Sequence, residues 1–190
     1  MRPTIHSLAP LAGALLAAPL AAQTGAMRPA PSTRATAEVV LTLVDTAAAR
    51  AAGPSKIRID YGQPHLRGRR LHTDSLVPYD KPWRTGANDP TTLTTDVALT
   101  IGGAAVPKGT YVLQTIPGRT GWQLLVQTPP AAEGGQPADV ARVPLRAATL
   151  PTALESLTFW LIPSTQPGAA RGELRFAWGR TALSTDWQVR

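Results

Sequence analysis

Between positions 60 and 89 the chain gathers most of the side chains that could do chemistry. An Arg presents a planar fork that grips a carboxylate with two parallel hydrogen bonds, and Arg69 and Arg84 stand in this segment among Asp60, Tyr61, Tyr79, Trp83 and Asn88. Two readings follow. In the first, Arg84 is locked to Asp60 or Asp89, Trp83 fills the core, Gly86 takes a positive backbone angle, and Asn88, Asp89 and Pro90 form a turn, so that "WRTGAN" (83–88) fastens the fold. In the second, Arg69, Arg84 and Asn88, with Asp60, are polar contacts in a pocket for an anionic or polyhydroxylated ligand, and Tyr61, Tyr79 or Trp83 supplies a stacking wall.

Other chemistries find less support. His65 and His72, with Asp60 and Asp74 nearby, fit none of the usual zinc-ligand spacings, so no metal and no cofactor is expected. Ser55 and Ser75 are candidate nucleophiles with His65 or His72 as base, but there is no Gly-x-Ser-x-Gly elbow and no Cys. Asp60, Asp74, Asp80 and Asp89 could pair for glycoside hydrolysis only if loops set them at the right separation, which spacing alone does not reveal. A hydrolase built on these residues is an alternative, not the leading expectation.

The elements that must position this segment are strands. Apolar residues come in short runs divided by Gly and Pro. Lys56 to Tyr61, "KIRIDY", alternates with Ile57, Ile59 and Tyr61 on one face and Lys56, Arg58 and Asp60 on the other. Gly109 to Ile116 and Trp122 to Thr128 flank "PGRTG" as a hairpin, and Gly102 with Gly103 supplies a second tight turn. Further strands are expected over 38–44, 91–101 (one or two), 140–147, 156–162, 172–178 and 182–189, the last two joined at Gly179 and Arg180. One helical turn is expected over 149–155. The runs 109–116 and 156–162, apolar on both faces, read as buried central strands. About nine short antiparallel strands and one long irregular loop over 62–90 predict an all-β sandwich or flattened barrel. Trp122, Trp160, Trp178 and Trp187 lie within strand patterns and read as core or sheet surface.

The ends and the composition define the compartment. Residues 1–22 carry Arg2 and His6 ahead of an apolar run ending in small residues, the layout of a secretory signal peptide. Residues 23–35 read as a disordered linker, and 36–190 as a single domain. With no Cys, stability must come from the core and not from crosslinks. The formal charge of +7 becomes +6 once Arg2 is removed. Its carriers are mostly Arg scattered along the chain, apart from Arg67, Arg69 and Arg70, so a nucleic-acid partner is not expected. No segment after the signal peptide is apolar enough to span a membrane.

The stretches "IDYGQPHLRGR" (59–69), "LVPYDKPWRTGAN" (76–88) and "GGAAVPKGTYVLQTIPG" (102–118) together resemble the DUF2911 family of secreted bacterial proteins, with a weaker continuation in "GELRFAWGRTALSTDW" (172–187). The family's pattern is met at Asp60, Tyr61, Pro64, Gly68, Arg69, Pro78, Tyr79, Trp83, Arg84, Thr85, Gly86 and Asn88. Departures fall at Gln63, where the family usually has Arg, at Asp80, where Gly is usual, and at Pro82. His72 stands where the family commonly has an aromatic residue, which favours packing over metal binding. The resemblance implies a β-rich exported protein and carries no reaction.

The expectation is therefore a periplasmic or secreted binding module acting through segment 60–89 on a small molecule, a glycan or an anionic envelope component. The alternative to it, besides the hydrolase, is a cell-envelope structural or interaction module that recruits an envelope protein through an exposed strand edge.

Overall fold

The computed structural model describes residues 26–73, 75–132 and 134–190. The signal peptide expected over 1–22, the first three residues of the linker, and Asp74 lie outside the described residues. Nine strands and one short helix follow in the order β1 (Thr33–Leu41), α1 (Thr46–Ala52), β2 (Ser55–Gln63), β3 (Thr91–Thr95), β4 (Leu99–Ile101), β5 (Ala104–Val106), β6 (Gly109–Ile116), β7 (Trp122–Thr128), β8 (Ala138–Pro163) and β9 (Arg171–Val189). The protein is all-β and antiparallel, with strands arranged β1-β2-β3-β6-β7-β8-β9-β4-β5. No described helix is long and apolar enough to cross a membrane.

Local chemistry accounts for the most regular parts. In β2 the alternation holds, with Ile57, Ile59 and Tyr61 buried and Lys56 and Arg58 exposed. The β6–β7 hairpin has the predicted bounds, and Gly102 and Gly103, at φ 54° and 87°, turn β4 into β5. β1 begins at Thr33, inside the expected linker, and stops at Leu41, leaving Leu43 and Val44 exposed. Its nine residues pair along all of β2, from Thr33 opposite Gln63 to Leu41 opposite Ser55. Helix α1 is capped by Asp45, whose carboxylate accepts from Ala48 N at 2.7 Å, and ends at Gly53 (φ 73°); it buries no residue.

The second half departs from the expected short strands. β8 pairs with β7 up to Leu145 and with β9 from Arg146, so one strand serves both halves of the sheet. The helical turn expected over 149–155 is absent. This stretch lies in β8, across register shifts at Thr149/Leu154 and Leu154/Thr158; only Thr149 and Leu154 of it pair with β9, and Glu155 O accepts from Leu66 N. β9 bends at Gly179 (φ 59°) and returns on itself, so that Val189 N donates to Ala170 O at 2.8 Å. The sheet also folds over: past β2, Leu157 N donates to Pro64 O at 3.0 Å and Leu66 N to Glu155 O at 2.8 Å. The core lies inside this fold, where Ile57, Ile59, Leu113, Leu124, Leu157 and Phe176 are almost wholly buried. The segment 64–90 is thereby pinned on the middle of β8 and the start of β3.

Candidate functional site

Each residue of "WRTGAN" has a separate task. Trp83 makes an isolated two-bond bridge to β6: its N donates to Thr115 O at 2.7 Å and its O accepts from Thr115 N at 2.9 Å. Thr85, fully buried, donates its hydroxyl to Trp83 O and approaches Thr115 Oγ1, both at 3.1 Å. Gly86 sits where a Cβ would stand 2.6 Å from Thr91 Oγ1 and 3.1 Å from Gly62 O, and Ala87 N donates to Gly62 O at 3.1 Å. Glycine at 86 is needed for close approach and not for a positive angle. The positive angles fall on Thr85 (φ 52°) and Asn88 (φ 61°). A β-branched residue in that region is strained, by about 1–3 kcal/mol, and the hydroxyl bonds of Thr85 offset the cost locally.

The reversal at Asn88 points its carbonyl back at Arg84, whose Nη1 donates to Asn88 O at 2.8 Å. The expected lock of Arg84 onto Asp60 or Asp89 is not formed. Asp60 stands on the outer face of β2 and is held by Arg34, Arg58 and Thr36, since the β1–β2 register places Thr36 opposite it. Burial works to raise the Asp60 pKa, but hydrogen bonds from Arg34, Arg58 and Thr36 outweigh it and hold the carboxyl below its ordinary value.

Arg84 instead lines a cleft of about 370 Å³ with Arg69, Trp83 and Trp178, floored by Gly86 and Ala87. Arg69 is fixed by its Nε to Leu66 O at 2.9 Å and its Nη2 to His65 O at 2.7 Å. Among the described residues neither guanidinium lies within 4.0 Å of a carboxylate. Trp83 is half-buried, its ring 6.0 Å from that of Trp178 and nearly parallel to it at 15°. Trp178 is deeply buried, and its Nε1 donates to Glu155 O at 3.1 Å, which fixes the inner ring of the pair. Among the described residues the Nε and Nη2 edge of Arg84 meets no partner, and that edge is suited to a two-bond grip on a carboxylate.

Of the seven residues expected to form the site, the structure brings together Arg69, Trp83 and Arg84, with Asn88 behind Arg84. Tyr61 is not a wall. It is core, packed on Phe159 at 4.7 Å, with its hydroxyl accepting from Phe159 N at 3.2 Å; burial pushes its pKa up. Tyr79 lines a neighbouring hollow that shares only Pro78 with the cleft, and carries His72 stacked at 4.5 Å and Arg119 at 4.5 Å from its ring centre. Asp60 is on the sheet's outer face. Trp178 is the residue that sequence reasoning missed: its place on an inward strand position gives no sign that its ring backs a cleft.

The histidines do not converge. His65 Nδ1 meets Ser156 Oγ at 2.7 Å, and His72 lies in the aromatic group of Tyr79 and Trp122. No three His, Asp or Glu among the described residues are grouped as metal ligands. The partner of His65 is Ser156 and not Ser55 or Ser75, and no described carboxylate hydrogen-bonds to the ring.

Compared with known families, residues 44–186 match the one described as "Protein of unknown function (DUF2911)". No curated protein and no solved structure matches the chain.

Proposed function

The chain belongs to the DUF2911 family, and from that footing we propose that it is an exported, non-catalytic binding module whose Arg69–Arg84 cleft takes an anionic, polyhydroxylated ligand such as an acidic glycan of the cell envelope. The observation that carries this is the pair of guanidiniums, both anchored by backbone carbonyls and free of described carboxylates, opening on one cleft beside Trp83. Anchoring to neutral acceptors leaves each positive charge uncompensated by any described carboxylate while reducing its freedom, so little order is lost when an anion arrives. The Trp83 ring offers an apolar face to a sugar, and the rigid Trp178 behind it keeps that face in place. Export rests on Arg2, His6 and the apolar run before Gln23.

Calorimetric titration with an oligogalacturonate, beside a neutral maltooligosaccharide of equal length, tests this reading. The acidic oligomer should bind, weaken as salt is raised, and lose tenfold or more in the Arg69→Ala/Arg84→Ala double variant. Equal binding of the neutral oligomer, or undiminished binding by the double variant, would overturn it. Chromatography of the recovered oligomer should show it intact; cleavage would move the protein to the hydrolase alternative.

A second reading is supported by β1, which stands at one end of the strand order with Val40 more than half exposed. That edge suits strand addition by an envelope protein. In-cell crosslinking from a residue placed at Val40 should then capture one partner reproducibly, and a featureless ladder of products would count against it.

A further inference from the structure

We propose a second binding site, at the end of the sheet where β9 returns on itself, for a small amphipathic carboxylate of the medium-chain fatty-acid class. The cavity there has a volume of about 670 Å³ and shares no residue with the Arg69–Arg84 cleft. That size suits a small molecule, since such sites are about 300–1,000 Å³.

Its wall is built by the bend of β9. The two ends of the strand meet through Val189 N and Ala170 O, which brings Trp187 over Gly172. A Cβ at Gly172 would stand 2.7 and 2.8 Å from indole atoms of Trp187, so the ring lies on bare backbone. Ile162 and Pro163, from the end of β8, extend the apolar surface beside the ring. Ile162 is 38% exposed, in a chain whose other large aliphatic residues on β8 and β9 are mostly covered. The Nε1 of Trp187 is buried without a hydrogen-bond partner, a state that folded proteins seldom leave unexplained.

The charges around this surface decide the head group. Glu173 and Asp186 both line the cavity but are already engaged: Arg146 grips Asp186 with two bonds of 2.8 and 2.9 Å and reaches Glu173 at 3.6 Å, and Arg175 holds Glu173 at 2.5 Å. Arg171 is different. Its Nη1 reaches only the carbonyls of Pro167 and Ala169, at 3.3 and 3.4 Å, and no described carboxylate lies within 4.0 Å. It is half-buried, and among the described residues its Nε and Nη2 edge meets no hydrogen-bond partner. Among the described residues the cavity therefore presents one uncommitted cation at the edge of an apolar wall, and its complement is one carboxylate joined to one apolar body. A cationic amphiphile would have to displace Arg146 and Arg175 from carboxylates they already hold.

The test is titration with decanoate, kept below its micelle concentration, read by calorimetry and tryptophan fluorescence. Decyltrimethylammonium serves as the opposite-charge control, and the variants are Arg171→Ala, Ile162→Asp and Arg84→Ala. Saturable binding of decanoate, reduced tenfold or more by Arg171→Ala and by Ile162→Asp, is expected, with Arg84→Ala unchanged and the cation inert. Ile162 is surface-exposed, so its variant reports on the wall without loss of the fold, which a thermal melt will verify. Absence of saturable binding, or equal binding of the cation, overturns the proposal. Loss in Arg84→Ala with retention in Arg171→Ala also overturns it, by placing decanoate in the other cleft.

Discussion

The Arg84 guanidinium donates to the carbonyl of Asn88, four residues on in its own loop, while Asp60, the carboxylate its motif suggested, is held by Arg34 and Arg58 across the β1–β2 pair. A cation tied to a neutral acceptor on the surface stabilises little. The same cation remains available to an incoming anion. This division between a fastening loop and an unspent side chain sets the energetics expected of the motif.

Replacing Arg84 with Ala should change unfolding stability by no more than about 0.5 kcal/mol, because the residue is exposed and makes one bond to a neutral carbonyl. Equilibrium denaturation by urea measures it. A loss of several kcal/mol would mean that Arg84 holds the fold through a partner other than Asn88.

Thr85 should behave in the opposite way. The Thr85→Val variant keeps the shape but removes a fully buried hydroxyl that serves Trp83 O and Thr115 Oγ1. Leaving such groups unpaired costs roughly 1–3 kcal/mol, and the same urea titration should show a loss in that range. An unchanged midpoint would show that the hydroxyl network contributes nothing.

Gly62→Ala should be at least as damaging as Thr85→Val. The added Cβ would collide with the carbonyl of Ala87, which is backbone and cannot rotate away. The Ala87 N to Gly62 O bond that seats the loop on β2 would be strained as well. Overpacking of this kind costs about 1–3 kcal/mol, occasionally more. Loss of the tryptophan fluorescence signature of the Trp83–Trp178 pair should accompany it, whereas a native spectrum with unchanged stability would contradict the close packing.

Acid should destabilise the protein through two carboxylates. Asp139 is held below its ordinary value by hydrogen bonds from Gln127 and Arg142, and Asp60 by Arg34, Arg58 and Thr36 against the effect of its burial. A carboxyl depressed in the folded state contributes stability that is fully present above its unfolded pKa, near 3.8, and is lost as pH falls through the folded value. Melting temperature should therefore fall as pH is lowered below about 4, and Asp60→Asn should fall less steeply than the parent over that window. Parallel acid limbs for the two proteins would exclude a contribution from Asp60.

What could be read without coordinates is what neighbours in the chain decide. The alternation of "KIRIDY" fixes which face of β2 is buried, and "PGRTG" sets the ends of β6 and β7, because strand period and turn chemistry act over a few residues. The all-β class and the family likeness were legible on the same ground. The pairing of side chains was not. Asp60 meets Arg34 from 26 positions away, His65 meets Ser156 from 91, and Tyr61 meets Phe159 from 98. Those partners depend on the β1–β2 register and on the folding of β8 over the extension of β2. Both are settled by burying one common core, and no local pattern encodes them. The same long-range packing sets Trp178 behind Trp83 and Trp187 on Gly172, and so decides where the chain has clefts at all.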